Sequence, residues 1–143
     1  MTTAQLTAID ATVDKTNRLL SEIEHELGWP AQRRQQSYSA LTAVLHTLRD
    51  RLPLAEVVQF AAQLPLLVRG LYYEGWDATS APAKLDRAEF LARVRRDFPF
   101  DVEGGTEQVI RTVSRVLRRH VSSGEWDDVL ATLPVELRDL LSD

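Results

Sequence analysis

The chain has 143 residues, 44% of them hydrophobic and 27% charged, which suits one domain, or two very small ones sharing a core, and excludes a disordered polymer. It contains no cysteine, so disulfide scaffolds, thiolate metal sites and cysteine nucleophiles are ruled out. A net charge of −4 argues against general nucleic-acid binding and leaves room only for a local basic patch.

The N-terminal Met-Thr-Thr-Ala-Gln-Leu has neither the cationic start nor the apolar core of a secretory leader. Apolar residues then recur at helical spacing almost throughout, and no segment alternates with the period of a strand. Leu6, Ile9, Val13, Leu19, Leu20, Ile23 and Leu27 mark a long first helix with a bend near Asp14, stopped by Gly28-Trp29-Pro30. Tyr38, Leu41, Val44, Leu45, Leu48 and Leu52 give one face of a second helix ending at Pro53. Two short helices follow over 54–63 and 65–73, with Pro65 at a first helical position, where its missing N–H costs nothing. The longest apolar run, around Leu64–Val68, falls far short of the ~20 residues that span a bilayer, and the expectation is a cytoplasmic protein.

Residues 74–85 are rich in turn formers and read as a linker. Asp86 and Glu89 have the spacing of a reciprocal N-terminal cap for a fifth helix carrying Phe90, Leu91 and Val94. Gly104-Gly105 introduces a sixth helix with Val109, Ile110, Val113, Val116 and Leu117. Ser122 and Glu125 repeat the capping spacing, and a last helix runs from Pro134 towards Leu141.

Shifted by 69 residues, the chain lies on itself. Residues 41–72 align without a gap on 110–141, with nine identities in 32 positions: Val44/Val113, Leu48/Leu117, Arg49/Arg118, Glu56/Glu125, Ala62/Ala131, Leu64/Leu133, Pro65/Pro134, Arg69/Arg138 and Leu71/Leu140. About two are expected by chance at average composition. The expectation is an all-α fold of two tandem four-helix repeats, about 13–75 and 86–141, packed as one pseudo-twofold domain over 1–143 and joined by the linker 74–85. Identical charges at equivalent sites suggest structural pairs, Glu56 with Arg69 and Glu125 with Arg138, each bridging a Leu-Pro corner.

The run from Phe60 to Trp76, Phe-Ala-Ala-Gln-Leu-Pro-Leu-Leu-Val-Arg-Gly-Leu-Tyr-Tyr-Glu-Gly-Trp, resembles the signature of a bacterial family called domain of unknown function 2267. Residues 40–53, 89–94 and 133–140 match it as well, so the resemblance covers roughly Val13 to Leu141. Leu19 departs from the family at a place where Trp is common, which touches only a packing detail. The resemblance implies an all-helical protein of unassigned activity and supplies no catalytic or binding residue.

The residues themselves point to no enzyme. His25, His46 and His120 are scattered and lack metal-ligand spacing, no serine lies in a nucleophile elbow, and the paired glycines follow a helix rather than a strand. No cofactor, metal site or catalytic residue is expected, and the histidines are assigned to solvated helix faces.

Two surfaces remain. Tyr72, Tyr73 and Trp76 cluster where helix gives way to linker, either pinning the linker between the repeats or meeting a partner. Arg111, Arg115 and Arg118 form a stripe on one helix face, inside a segment where eight arginines outnumber five acids, and would suit phosphates. The leading reading is therefore a non-enzymatic helical module for protein–protein contact or self-association. A nucleic-acid-associated protein using the arginine stripe is the alternative.

Overall fold

A computed structural model describes residues 6–30 and 33–142; residues 1–5, read above as no leader, lie outside that range. The described residues form eight α-helices, one 3₁₀ turn and no strand: α1 (Thr7–Leu27), α2 (Arg34–Arg51), α3 (Leu54–Gln63), α4 (Leu66–Tyr73), the 3₁₀ turn Ala78–Ser80, α5 (Arg87–Asp97), α6 (Gly105–Arg119), α7 (Ser123–Ala131) and α8 (Val135–Ser142). Among them no helix is long and apolar enough to cross a membrane.

The helix ends follow the local chemistry. Gly28, at φ 71°, closes α1 in the left-handed conformation and lets the Trp29 N–H donate back to Glu24 O at 2.8 Å. Asp86 and Glu89 form the complete reciprocal cap of α5. At α7 only half of the expected cap forms. Ser122 Oγ accepts from the Glu125 N–H at 3.1 Å, but the Ser122 N–H donates to Gln63 Oε1 rather than to the Glu125 carboxyl.

α1 runs unbroken through Asp14, and its N-terminal half is phased differently from the sequence reading. Thr12 and Thr16 are buried, whereas Leu6, Ile9 and Val13 are exposed. The reason lies in α4: the Leu67 N–H has no partner within its own first turn and donates to Thr12 Oγ1 at 2.9 Å, which turns the threonine edge of α1 inward.

One apolar core runs through all eight helices. α1 packs on α2, α4 and α6; α2 also on α4, α5 and α6; α3 on α4 and α7; α5 on α6 and α8; and α8 also on α6 and α7. Polar groups reinforce these contacts. Glu24 of α1 accepts from Arg34 at 2.7 Å and from Ser37 at 2.6 Å on α2. Trp29 stacks on Phe98, ring centroids 6.0 Å apart, joining the end of α1 to the end of α5.

Candidate functional site

The end of α2 holds the crossover between the two halves of the chain with three consecutive residues. The buried Arg49 guanidinium donates to the carbonyls of Tyr72 and Glu74 at 2.9 and 2.8 Å, and to its neighbour Asp50 at 2.8 Å. The Asp50 carbonyl accepts from the Ala83 N–H at 2.7 Å, and Arg51 donates to Leu85 O at 3.2 Å. Asp50 also accepts from Arg93 of α5 at 2.5 Å. Burial alone would raise the Asp50 carboxyl, but hydrogen bonds from Arg49 and Arg93 outweigh it and hold the group below its ordinary range. A small cavity of about 170 Å³ lies beside this cluster, lined by Asp50, Trp76, Asp77, Ser80 and Arg93 among others.

The aromatic cluster sits on the same junction, with one correction to the sequence reading. Tyr72 is wholly buried and its hydroxyl donates to Val57 O at 3.0 Å, so it takes no part in any surface. The helical phase explains this: Tyr72 follows Val68 by four residues, and both point into the core. Tyr73 and Trp76 are half-buried. Tyr73 packs edge-on against Tyr72 at 5.3 Å and meets Trp76 at 5.6 Å, so this row of rings fastens the start of the linker to the core.

The three arginines of the stripe all serve this chain. Arg111 binds Glu107 at 2.8 Å and the Asp139 carbonyl at 3.0 Å. Arg115 pairs with Glu26 of α1 at 2.9 Å, and Arg118 donates to Ser142 O at 3.2 Å. Next to them, Arg119 reaches Glu26 at 2.7 Å and His120 lies 3.0 Å from Glu22. The stripe is a charged seam between α6, α1 and α8. His120 and His46 are accordingly not on solvated faces; His46 Nε2 lies 2.6 Å from Leu71 O.

The family model described as "Uncharacterized conserved protein (DUF2267)" matches residues 16–140. The chain belongs to that family. No curated protein matches it.

In this DUF2267 chain the expected Glu56–Arg69 and Glu125–Arg138 pairs do not form. Arg69 caps the end of α3, donating to the carbonyls of Ala61 at 2.9 Å and Leu64 at 3.1 Å, because those terminal carbonyls lack helical partners and lie nearer than the first turn of α3. Among the described residues Glu125 and Arg138 form no ion pair. Both glutamates stand in first turns of helices that pack on one another, α3 and α7. Glu56 is only 7% exposed, and each residue keeps its Oε1 buried and unpartnered. Burial, followed by the hydrogen bond and charge of Glu56, pushes the Glu125 carboxyl up to about 7. Sequence reasoning found both residues through the repeat but gave them arginine partners that the structure does not place on them. Among the described residues no group of three or more His, Asp or Glu side chains is placed to hold a metal ion.

Proposed function

We propose that the chain is a cytoplasmic, non-enzymatic contact module built from two copies of a four-helix unit, and that it meets its protein partner, or a second copy of itself, through the outer faces of α1, α3 and α4. What supports the duplication is the packing: exchanging α1–α4 for α5–α8 in order turns every helix pairing described above into another of the set. On this reading residues about 13–75 and 86–141 are pseudo-equivalent and the clamped linker is the crossover.

The contact reading rests on one observation. Large apolar side chains stand in solvent on α3 (Leu54, Val58) and α4 (Leu66, Leu67), beside the uncovered Ile9 and Val13 of α1, whereas the aligned positions of the other copy include the polar Ser123, Asp127 and Glu136. A surface that needed only solubility would have no use for this difference between equivalent faces. The nucleic-acid alternative has less behind it, since Arg111, Arg115 and Arg118 are engaged within the chain.

The test compares wild type with a Val58→Asp/Leu66→Asp double variant, by sedimentation over a range of concentrations and by capture from host lysate with and without nuclease. Association or capture that survives nuclease and is lost in the variant supports the reading. Capture abolished by nuclease, or unchanged in the variant, overturns it.

A further inference from the structure

Two N–H groups at the crossover are buried and have no acceptor among the described residues: Nε1 of Trp76 and Nε of Arg93. Both residues line the cavity of about 170 Å³ where the linker crosses the end of α2 and α5. Indole and guanidinium nitrogens donate and never accept, so each of the two calls for an oxygen. A buried donor without one is costly, and two of them on the walls of one cavity specify the chemistry of what fills it.

The acceptors of the same cavity are already engaged. Asp50 Oδ1 accepts from Arg49 Nε at 2.8 Å and Oδ2 from Arg93 Nη2 at 2.5 Å, while the Asp50 carbonyl takes the Ala83 N–H at 2.7 Å. At the exposed rim, Asp77 Oδ1 accepts from the N–H and the hydroxyl of Thr79, and Oδ2 from the Ser80 hydroxyl, so the 3₁₀ turn closes on itself. What the site has to spare is donors. Charge points the same way. Two guanidinium groups, Arg49 and Arg93, share the single Asp50 carboxylate, an excess of one positive charge. A monoanion balances that excess, whereas a dianion would set its second charge towards Asp77. Room and walls decide the rest. A cavity of about 150 Å³ takes benzene, so this one takes roughly six heavy atoms. Trp76, Ala81 and Ala83 supply apolar wall for a short tail.

We propose that the crossover cavity binds a short-chain monocarboxylate of about four to six heavy atoms, its oxygens accepting from Trp76 Nε1–H and Arg93 Nε–H and its tail lying against Trp76, Ala81 and Ala83. The ligand enters past Asp77 and Ser80, the exposed residues of the lining, and bridges the linker to α5. Binding therefore tightens from one side the crossover that Arg49 clamps from the other. The site is separate from the outer faces of α1, α3 and α4, and the inference does not depend on which partner they meet.

The test titrates sodium propionate into the full, isotope-labelled chain, with sodium chloride holding the ionic strength constant and sodium sulfate in a parallel arm. NMR follows the Trp76 indole N–H and the Arg93 Nε–H, with the indoles of Trp29, stacked on Phe98, and Trp126, packed on Phe60, as internal controls. Both site resonances should move with propionate to saturation, with a Kd on the order of 1 mM, while the control indoles hold. Arg93→Lys keeps a cation beside Asp50 but loses the Nε–H, and should weaken binding at least about tenfold. Trp76→Phe, read through the Arg93 Nε–H, should do the same, and it carries the comparison should Arg93→Lys not fold. Site resonances that stay fixed in propionate, which would leave water alone on the two donors, overturn the proposal. So do shifts that never saturate, an equal response to sulfate, or unchanged affinity in the variants.

Discussion

Arg49 and Arg118 fall opposite each other when the chain is shifted by 69 residues, and replacing each by Met separates what burial contributes from what identity contributes. Arg49 is 4% exposed and holds three acceptors within 2.9 Å: one carboxylate, the Tyr72 carbonyl at the end of α4 and the Glu74 carbonyl of the linker. Arg49→Met keeps most of the side-chain volume but strands those carbonyls and leaves Asp50 to Arg93 alone. Breaking a buried, hydrogen-bonded ion pair costs about 3–5 kcal/mol. For a chain of this size that converts to a fall in Tm of about 10–20 °C. Arg118 is only half-buried and donates to a single carbonyl near the chain end, Ser142 O at 3.2 Å, so Arg118→Met should cost under about 1 kcal/mol. Urea denaturation of both variants, with midpoint and slope fitted together, measures the difference. Equal losses would refute the argument, because they would mean the linker clamp adds nothing beyond a helix-end hydrogen bond.

Three more outcomes follow from the same contacts. Tyr72→Phe deletes the 3.0 Å bond to Val57 O without opening a cavity and should lower stability by about 1 kcal/mol, read by the same denaturation. Gly28→Ala and Gly104→Ala both place a side chain at positive φ, but only at Gly104 would the new Cβ lie 2.8 Å from Gln108 Cβ; the first should cost about 1 kcal/mol and the second clearly more, ranked by Tm. The third concerns pH. The folded Glu125 carboxyl keeps its proton to about 7, while the unfolded chain releases it near the ordinary 4.5, so stability is full below 4.5 and falls as pH rises through 7. With the group partly exposed, the effect on stability is about 1–2 kcal/mol. Glu125→Gln should therefore match wild type in acid and exceed it above pH 7 by that amount; a variant less stable at high pH contradicts the sign.

What was legible in the sequence was whatever neighbouring residues decide. Pro53, Pro65 and Pro134 mark helix starts because proline cannot donate within a helix, and α3 spans the 54–63 of the sequence reading while α4 begins one residue after the expected 65. The Asp86 cap depends on four consecutive residues and forms completely. Partners far apart in the chain were harder. Glu56 and Glu125 come to stand on packed helices only because α3 lies on α7, and nothing in either local sequence records that packing. Arg111, Arg115 and Arg118 looked free because Asp139, Glu26 and Ser142 arrive from other helices. Val13 misled for a related reason: hydrophobic spacing marks an apolar edge, but the Leu67 N–H required a hydroxyl, and satisfying it set the rotation of α1.

The pairing of α1 with α6 and of α2 with α5 has a consequence for how the protein is made. Each half completes its core with a helix from the other, so α1–α4 cannot finish folding until α5 and α6 exist. A ribosome adds about 5–20 residues per second, so the first half waits roughly 3–11 s for the remainder with Leu41, Val44 and Leu48 of α2 short of their final neighbours. During that interval the nascent chain is at its most adhesive. The pace of translation through residues 86–142, not any property of the finished fold, determines how long chaperones have to reach it.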